Sequence, residues 1–165
     1  MSWETARDHL AKWGKEKEII EPGISTATVA LAAQAIGVEP ARIAKTLAVY
    51  RGDGALLVVA AGDVRLDNRK CKEQLAFKPR MLSGEDTLRL TSHQPGGVCP
   101  FGVPNEVEVF LDASLRRFES VFPACGTATT CIKLTLPELE EISGSKGWVD
   151  VCKLPEETDK QPTGG

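Results

Sequence analysis

The chain has 165 residues, enough for one ordinary domain with a single core. Its 42% hydrophobic and 26% charged residues are those of a soluble globular protein, and with only 5% aromatic residues the core has to be aliphatic. A net charge of −3 excludes a surface that attracts polyanions everywhere. No apolar run reaches bilayer-spanning length and the first residues lack the apolar core of a signal peptide, so a cytoplasmic protein with no membrane contact is expected.

In chain order, residues 3–13 read as an amphipathic helix with Ala6, Leu10 and Trp13 on one face. Glu21-Pro22-Gly23 interrupts the pattern. Ser25 or Thr26 is expected to cap a second helix that stops at Gly37, and Pro40 to open a third that ends close to Lys45. From Thr46 the pattern is strand. The turn Gly52-Asp53-Gly54 between two apolar runs predicts a hairpin. Asp67 is placed to cap a basic helix over 68–75, and Ser83 with Asp86 to cap another. Strands are expected over 107–111, 118–122, 131–134 and 148–152. Thr135 with Glu138 forms a capping box for a helix that stops at Gly144. Residues 1–153 are read as the domain and 154–165 as a disordered tail rich in proline, glycine and charge. Helices first, then hairpin-linked strands with helices between, predict an α+β single domain: a mixed, mostly antiparallel, barrel-like sheet with surrounding helices.

Four features bear on chemistry. Gly96-Gly97-Val98-Cys99-Pro100-Phe101-Gly102 combines glycines that allow close backbone approach with a shape-fixing proline, and reads as a rigid loop presenting main-chain groups. A tight connection between two elements is the competing reading. Lys45, flanked by Ala44 and an apolar strand start, points to a cleft cation, against an exposed lysine at a helix C-terminus. The basic run Arg65, Arg69, Lys70, Lys72, Lys78, Arg80 faces only Asp67 and Glu73, which suits one phosphate-bearing ligand held in one place, or a solvated helix face. Cys99 near His93 suggests a thiol nucleophile with a base, against a small apolar filler. Five cysteines without a CxxC pair argue for reduced thiols, and two distant histidines for no metal site; no cofactor motif appears.

Ile43-Ala44-Lys45-Thr46-Leu47, Gly62-Asp63 with Leu66-Asp67, the 96–102 loop, Leu111-Asp112, and Gly126 ahead of Cys131-Ile132-Lys133-Leu134 together resemble the YbaK/ProX family. Its members are trans-acting relatives of the editing domain of prolyl-tRNA synthetases. The resemblance runs from about Ser25 to Lys153. It implies a mixed α/β domain with a barrel-like sheet and hydrolysis of the ester of a mischarged tRNA. The alternative is a non-catalytic tRNA- or synthetase-binding module of the same fold. The family's lysine carries over to Lys45, its Gly-Pro loop to Gly96, Gly97, Val98, Cys99, Pro100, Phe101 and Gly102, and its late glycine to Gly126 with Thr127 beside it. Arg65, Arg69, Lys70 and Lys72 are expected to meet the tRNA acceptor end. An aminoacyl-tRNA synthetase is a further expected partner. Ala27 stands where many relatives have histidine, Ser92 where glycine is common, and Thr129-Thr130 where close relatives have Asn-Ser. These departures bear on which amino acid is removed. The sequence carries no signal of oligomeric state.

Overall fold

A computed structural model describes residues 2–154. The expected tail, apart from Leu154, lies outside the described residues. The chain folds as one α+β domain around a six-stranded mixed sheet that curls into a half-barrel. Strands in chain order are β1 (Ile43–Arg51), β2 (Gly54–Ala61), β3 (Arg65–Leu66), β4 (Glu108–Asp112), β5 (Ser120–Pro123), β6 (Leu134–Thr135), β7 (Trp148–Val149) and β8 (Cys152–Lys153). Helices are α1 (Ser2–Ala11), α2 (Val29–Ile36), α3 (Asn68–Leu75), α4 (Gly84–Thr91) and α5 (Leu136–Ser143).

The sheet order is β6-β5-β1-β2-β4-β7, and β3 pairs with β8 in a separate two-stranded ribbon. The longest ladder is the antiparallel β1–β2 hairpin, in register from Ala44↔Ala61 to Arg51↔Gly54. The hairpin is where the Asp-Gly signal puts it, but its two-residue turn is Gly52-Asp53, with Gly54 already in β2, and Gly52 takes the φ of 60° that such a turn asks of its first residue. β1 pairs with β5, and β2 with β4, in parallel. β2 is therefore central, and Ala55 to Ala61 are all buried, as a strand covered on both faces requires. Ala6 and Leu10 of α1 are fully buried in the same core. A smaller cluster of Ala32, Ala33, Ile43 and Phe122 holds α2 to the outer part of the sheet.

Several expectations change. Trp13 lies beyond the end of α1 and is 43% exposed, so it does not share the buried face of Ala6 and Leu10. The α2 cap is Thr28, whose hydroxyl accepts from Leu31 N, and not Ser25 or Thr26. Pro40 opens only a 3-10 turn, Pro40–Arg42, because the extended ladder with β2 begins immediately afterwards. Lys45 is consequently the third residue of β1 and not a helix end. Asp67 occupies the cap position of α3 without a side-chain cap hydrogen bond. Residues 148–152 do not form one strand. β7 pairs with β4, the chain then crosses to pair β8 with β3, and the break is pinned by Asp112, whose buried carboxylate accepts from Val151 N and Ser114 N. Ser83 and the Thr135–Glu138 capping box sit where the sequence puts them.

Candidate functional site

A cleft of about 120 Å³ opens beside the first residues of β1. Three parts of the chain wall it. β1 supplies Ile43, Ala44, Lys45 and Thr46; the approach to α2 and its first turns supply Thr26, Ala27, Thr28, Val29 and Ala32. The third wall is Pro95, Gly96 and Val98 together with Phe122, Ala124, Thr130 and Cys131.

Local chemistry locks these walls together. Thr26 N donates to Ala128 O at 2.6 Å, and Ile20 exchanges backbone hydrogen bonds with Cys131, so the segment before α2 is fastened to the 124–131 turn. Thr127 Oγ1 lies 2.7 Å from Thr130 Oγ1, which stiffens that turn from inside. Gly97 packs directly on it. A Cβ at Gly97 would lie 2.4 Å from Thr127 N and 2.5 Å from the Gly126 carbonyl carbon, distances no side chain tolerates. Glycine is needed at 97 for this approach of two backbones, and at Gly126 for a φ of +89°. At the mouth, a Cβ at Gly96 would touch the Cβ atoms of Ala27 and Ala128.

Lys45 is the one charged residue among those lining the cleft. Its ammonium donates to Val64 O and, at 3.4 Å, to Gly62 O, the carbonyls of the turn that leaves β2. Burial lowers its pKa from the usual 10.5, opposed by the nearby Asp63 and Cys152. Asp63 is itself gripped by Arg117 through two hydrogen bonds of 3.0 and 2.6 Å, and that guanidinium holds its carboxyl below the ordinary 3.8.

The other sequence candidates divide. Gly96 and Val98 line the cleft, whereas Cys99 and Phe101 are fully buried behind the loop and Pro100 faces a separate hollow with His9 and Val103. Gly102 turns at φ +76° against Thr5 of α1. Gly126 and Thr127 support the loop from beneath and are not themselves among the lining residues. None of Arg65, Arg69, Lys70 and Lys72 lines the cleft. Arg69 pairs with Glu73, while Lys70 bonds Asp150 and Cys152 O across the β3–β8 ribbon.

The Cys99–His93 pair is present as a contact of 3.5 Å, but its chemistry is closed. His93 Nε2 sits 2.7 Å from Phe101 O, and a carbonyl only accepts, so that nitrogen carries the proton and is no base for the thiol. Burial pushes the Cys99 thiol up to about 12. Sequence reasoning missed Thr26, Thr46 and Phe122 as cleft residues, whereas Ala27 and Thr130, which it singled out as departures from the family pattern, do line the cleft. It also missed the Asp63–Arg117 pair, which joins positions 54 residues apart.

Residues 24–142 match the family model for the aminoacyl-tRNA editing domain. The chain belongs to this family. It is 50% identical over 155 residues to the uncharacterized protein YwhH of Bacillus subtilis, covering 93% of this chain and 98% of that one. It is 33% identical over 104 residues to the proline–tRNA ligase of Shouchella clausii, covering 62% of this chain but only 18% of the ligase. Among solved structures, a proposed trans-editing enzyme for prolyl tRNA synthetase superposes with a TM-score of 0.82 at 29% identity, covering 92% of this chain and 97% of that one. Every residue that lines the cleft lies within the segment that matches the editing-domain family. No helix among the described residues is long and apolar enough to cross a membrane.

Proposed function

We propose that this editing-domain protein is an aminoacyl-tRNA deacylase, which hydrolyses the ester of a mischarged tRNA in the cytoplasm. The observation that carries the reading is Lys45. It is a lone cation in a narrow, mostly apolar cleft, and the facing wall contains the Pro95-Gly96 main chain. An aminoacyl ester is already activated, so positioning and charge stabilisation suffice and no covalent nucleophile is needed. An ammonium has three donors. Two of them hold Lys45 to Gly62 O and Val64 O, and the third serves the carbonyl oxygen of the ester as negative charge develops. Water adds to that carbonyl; the bond to the ribose oxygen breaks, that oxygen takes a proton, and amino acid and tRNA are released. Low local polarity strengthens the lysine's effect and is also what lowers its pKa.

The basic residues Arg65, Arg69 and Lys72 serve the acceptor stem at a distance from the cleft, through phosphates. Likeness to part of proline–tRNA ligases makes proline tRNA the first to screen, with and without that ligase. The test is a deacylation screen over mischarged tRNAs with Lys45→Ala as comparison. Loss of one charge-stabilising donor costs roughly 100-fold or more in rate. An unchanged rate in Lys45→Ala would reject the role given to the lysine, and binding without turnover across the panel would favour a non-catalytic tRNA-binding module.

A further inference from the structure

Lys45 stands opposite Ala60 in the β1–β2 ladder, and its ammonium bonds the carbonyls of Gly62 and Val64 just beyond the end of β2. Asp63 lies between those two acceptors, so a carboxylate rides on the turn that anchors the cation. A charged acceptor outcompetes a neutral carbonyl for an ammonium, and an unrestrained Asp63 would capture Lys45. Arg117 prevents this. Its two terminal nitrogens take both Asp63 oxygens, at 3.0 and 2.6 Å, while its Nε is fixed on Ser114 O at 3.0 Å.

The topology puts the clamp there. β4 pairs in parallel with β2, so the 3-10 helix Ala113–Arg117 that follows β4 leaves the sheet at the same end as the 62–64 turn. The same helix holds the end of β2 a second time, through Ser114 Oγ, which accepts from Ala61 N at 3.1 Å. Gly62 is wedged from the other side: a Cβ there would lie 2.1 Å from Pro40 O and 2.7 Å from Val29 Cγ1. The other side chain that acts on the ammonium is Cys152 of β8. Burial, with Asp112 nearby, pushes its thiol up, so it is neutral at pH 7. Asp112 is occupied by Val151 N and Ser114 N, and Lys70 by Asp150 and Cys152 O. Of the two groups acting on Lys45, Asp63 is therefore the charged one.

We propose that Asp63 and Arg117 are positioning residues for Lys45: the carboxylate supplies its countercharge, and the guanidinium keeps that carboxylate from pairing with it, which leaves the third donor for substrate. The use of that donor rests on the deacylase reading; the pair's hold on the ammonium does not.

The test reads the ammonium apart from turnover. The titration midpoint of the Lys45 side chain is followed by NMR of the lysine-labelled full chain, its signal assigned by its absence from Lys45→Arg. Asp63→Asn leaves the guanidinium uncompensated and should move the midpoint down. Arg117→Gln leaves the carboxylate unopposed and should move it up, the double variant should fall between the two, and Arg117→Lys should stay closer to wild type than Arg117→Gln. Both single variants lose the same partly exposed ion pair, which leaves the fold standing, so a merely structural role would shift them alike. In deacylation, Arg117→Gln should lower kcat with KM little changed, towards the roughly 100-fold loss that a misplacement of about 1 Å brings. Midpoints that stay put, or that move the same way in both single variants, overturn the proposal, and so does an unchanged kcat in Arg117→Gln. Opposite shifts in a protein that hydrolyses no charged tRNA uphold the pair's hold on Lys45 and reject the deacylase reading alone.

Discussion

Lys45 shows how far one residue could be read before its surroundings were known. The Ile43-Ala44-Lys45-Thr46-Leu47 motif marks it as the cleft cation, but its donors to Gly62 and Val64 depend on the β1–β2 register. Thr26 and Thr46 were not legible as cleft residues at all, because a cleft wall is a property of every neighbour at once. Asp63 and Arg117 are similar: each looks like an ordinary surface charge in sequence, and only the fold makes the pair. That pair carries a pH prediction. Asp63 has a pKa held below 3.8 in the folded chain, so its contribution is fully present above 3.8 and is lost as pH falls through the folded value. Asp63→Asn should therefore unfold at lower urea than wild type at pH 7, and the gap should close in acid. A gap that stays constant down to the acid limit would contradict the assignment.

Elements with local chemistry were the legible ones. The hairpin turn, the Ser83 cap and the Thr135–Glu138 box are set by residues within four positions of one another, so no tertiary knowledge is needed. Thr135→Ala removes the acceptor for Glu138 N and should cost about 1 kcal/mol of stability in denaturant titration. By contrast, β6, β7 and β8 are two residues each, too short for alternation to show, and exist because neighbouring strands offer partners. The third helix expected after Pro40 fails for the same reason, since pairing with β2 and β5 outweighs local preference. The loop at 96–102 gave its rigidity away in composition but not what it rests on. Gly97→Ala would force its Cβ into Gly126 and Thr127 main chain, which cannot swing aside as a side chain does. Overpacking of this kind costs about 1–3 kcal/mol, and deacylation should fall together with the melting temperature. A variant with normal stability and normal rate would show that the two loops move freely.

The whole molecule brings together positions that sequence keeps apart. The cleft needs the approach to α2, β1, the 95–98 segment and the 124–131 turn at once, and the order β6-β5-β1-β2-β4-β7 achieves this through crossings no local pattern announces. The α+β class and the mixed sheet were legible because helix and strand periods alternate clearly; three of the five ladders in the six-stranded sheet are parallel, which only the completed topology reveals. The same topology sets the basic helix α3 against the β3–β8 ribbon and not on the cleft wall. Burial of the cysteines has a practical outcome. All five thiols are free and buried, and burial pushes Cys71 and Cys131 up to about 11 and Cys99 to about 12. Alkylating reagents consume thiolate, so in the native protein they should react slowly, at the pace of local opening. Cys131 differs from the others in lining the cleft. Mass spectrometry of a timed alkylation should find it modified ahead of Cys99 and Cys125, and shielded when an aminoacyl-adenosine amide is bound, which turns one native side chain into an occupancy gauge that requires no added label on the ligand.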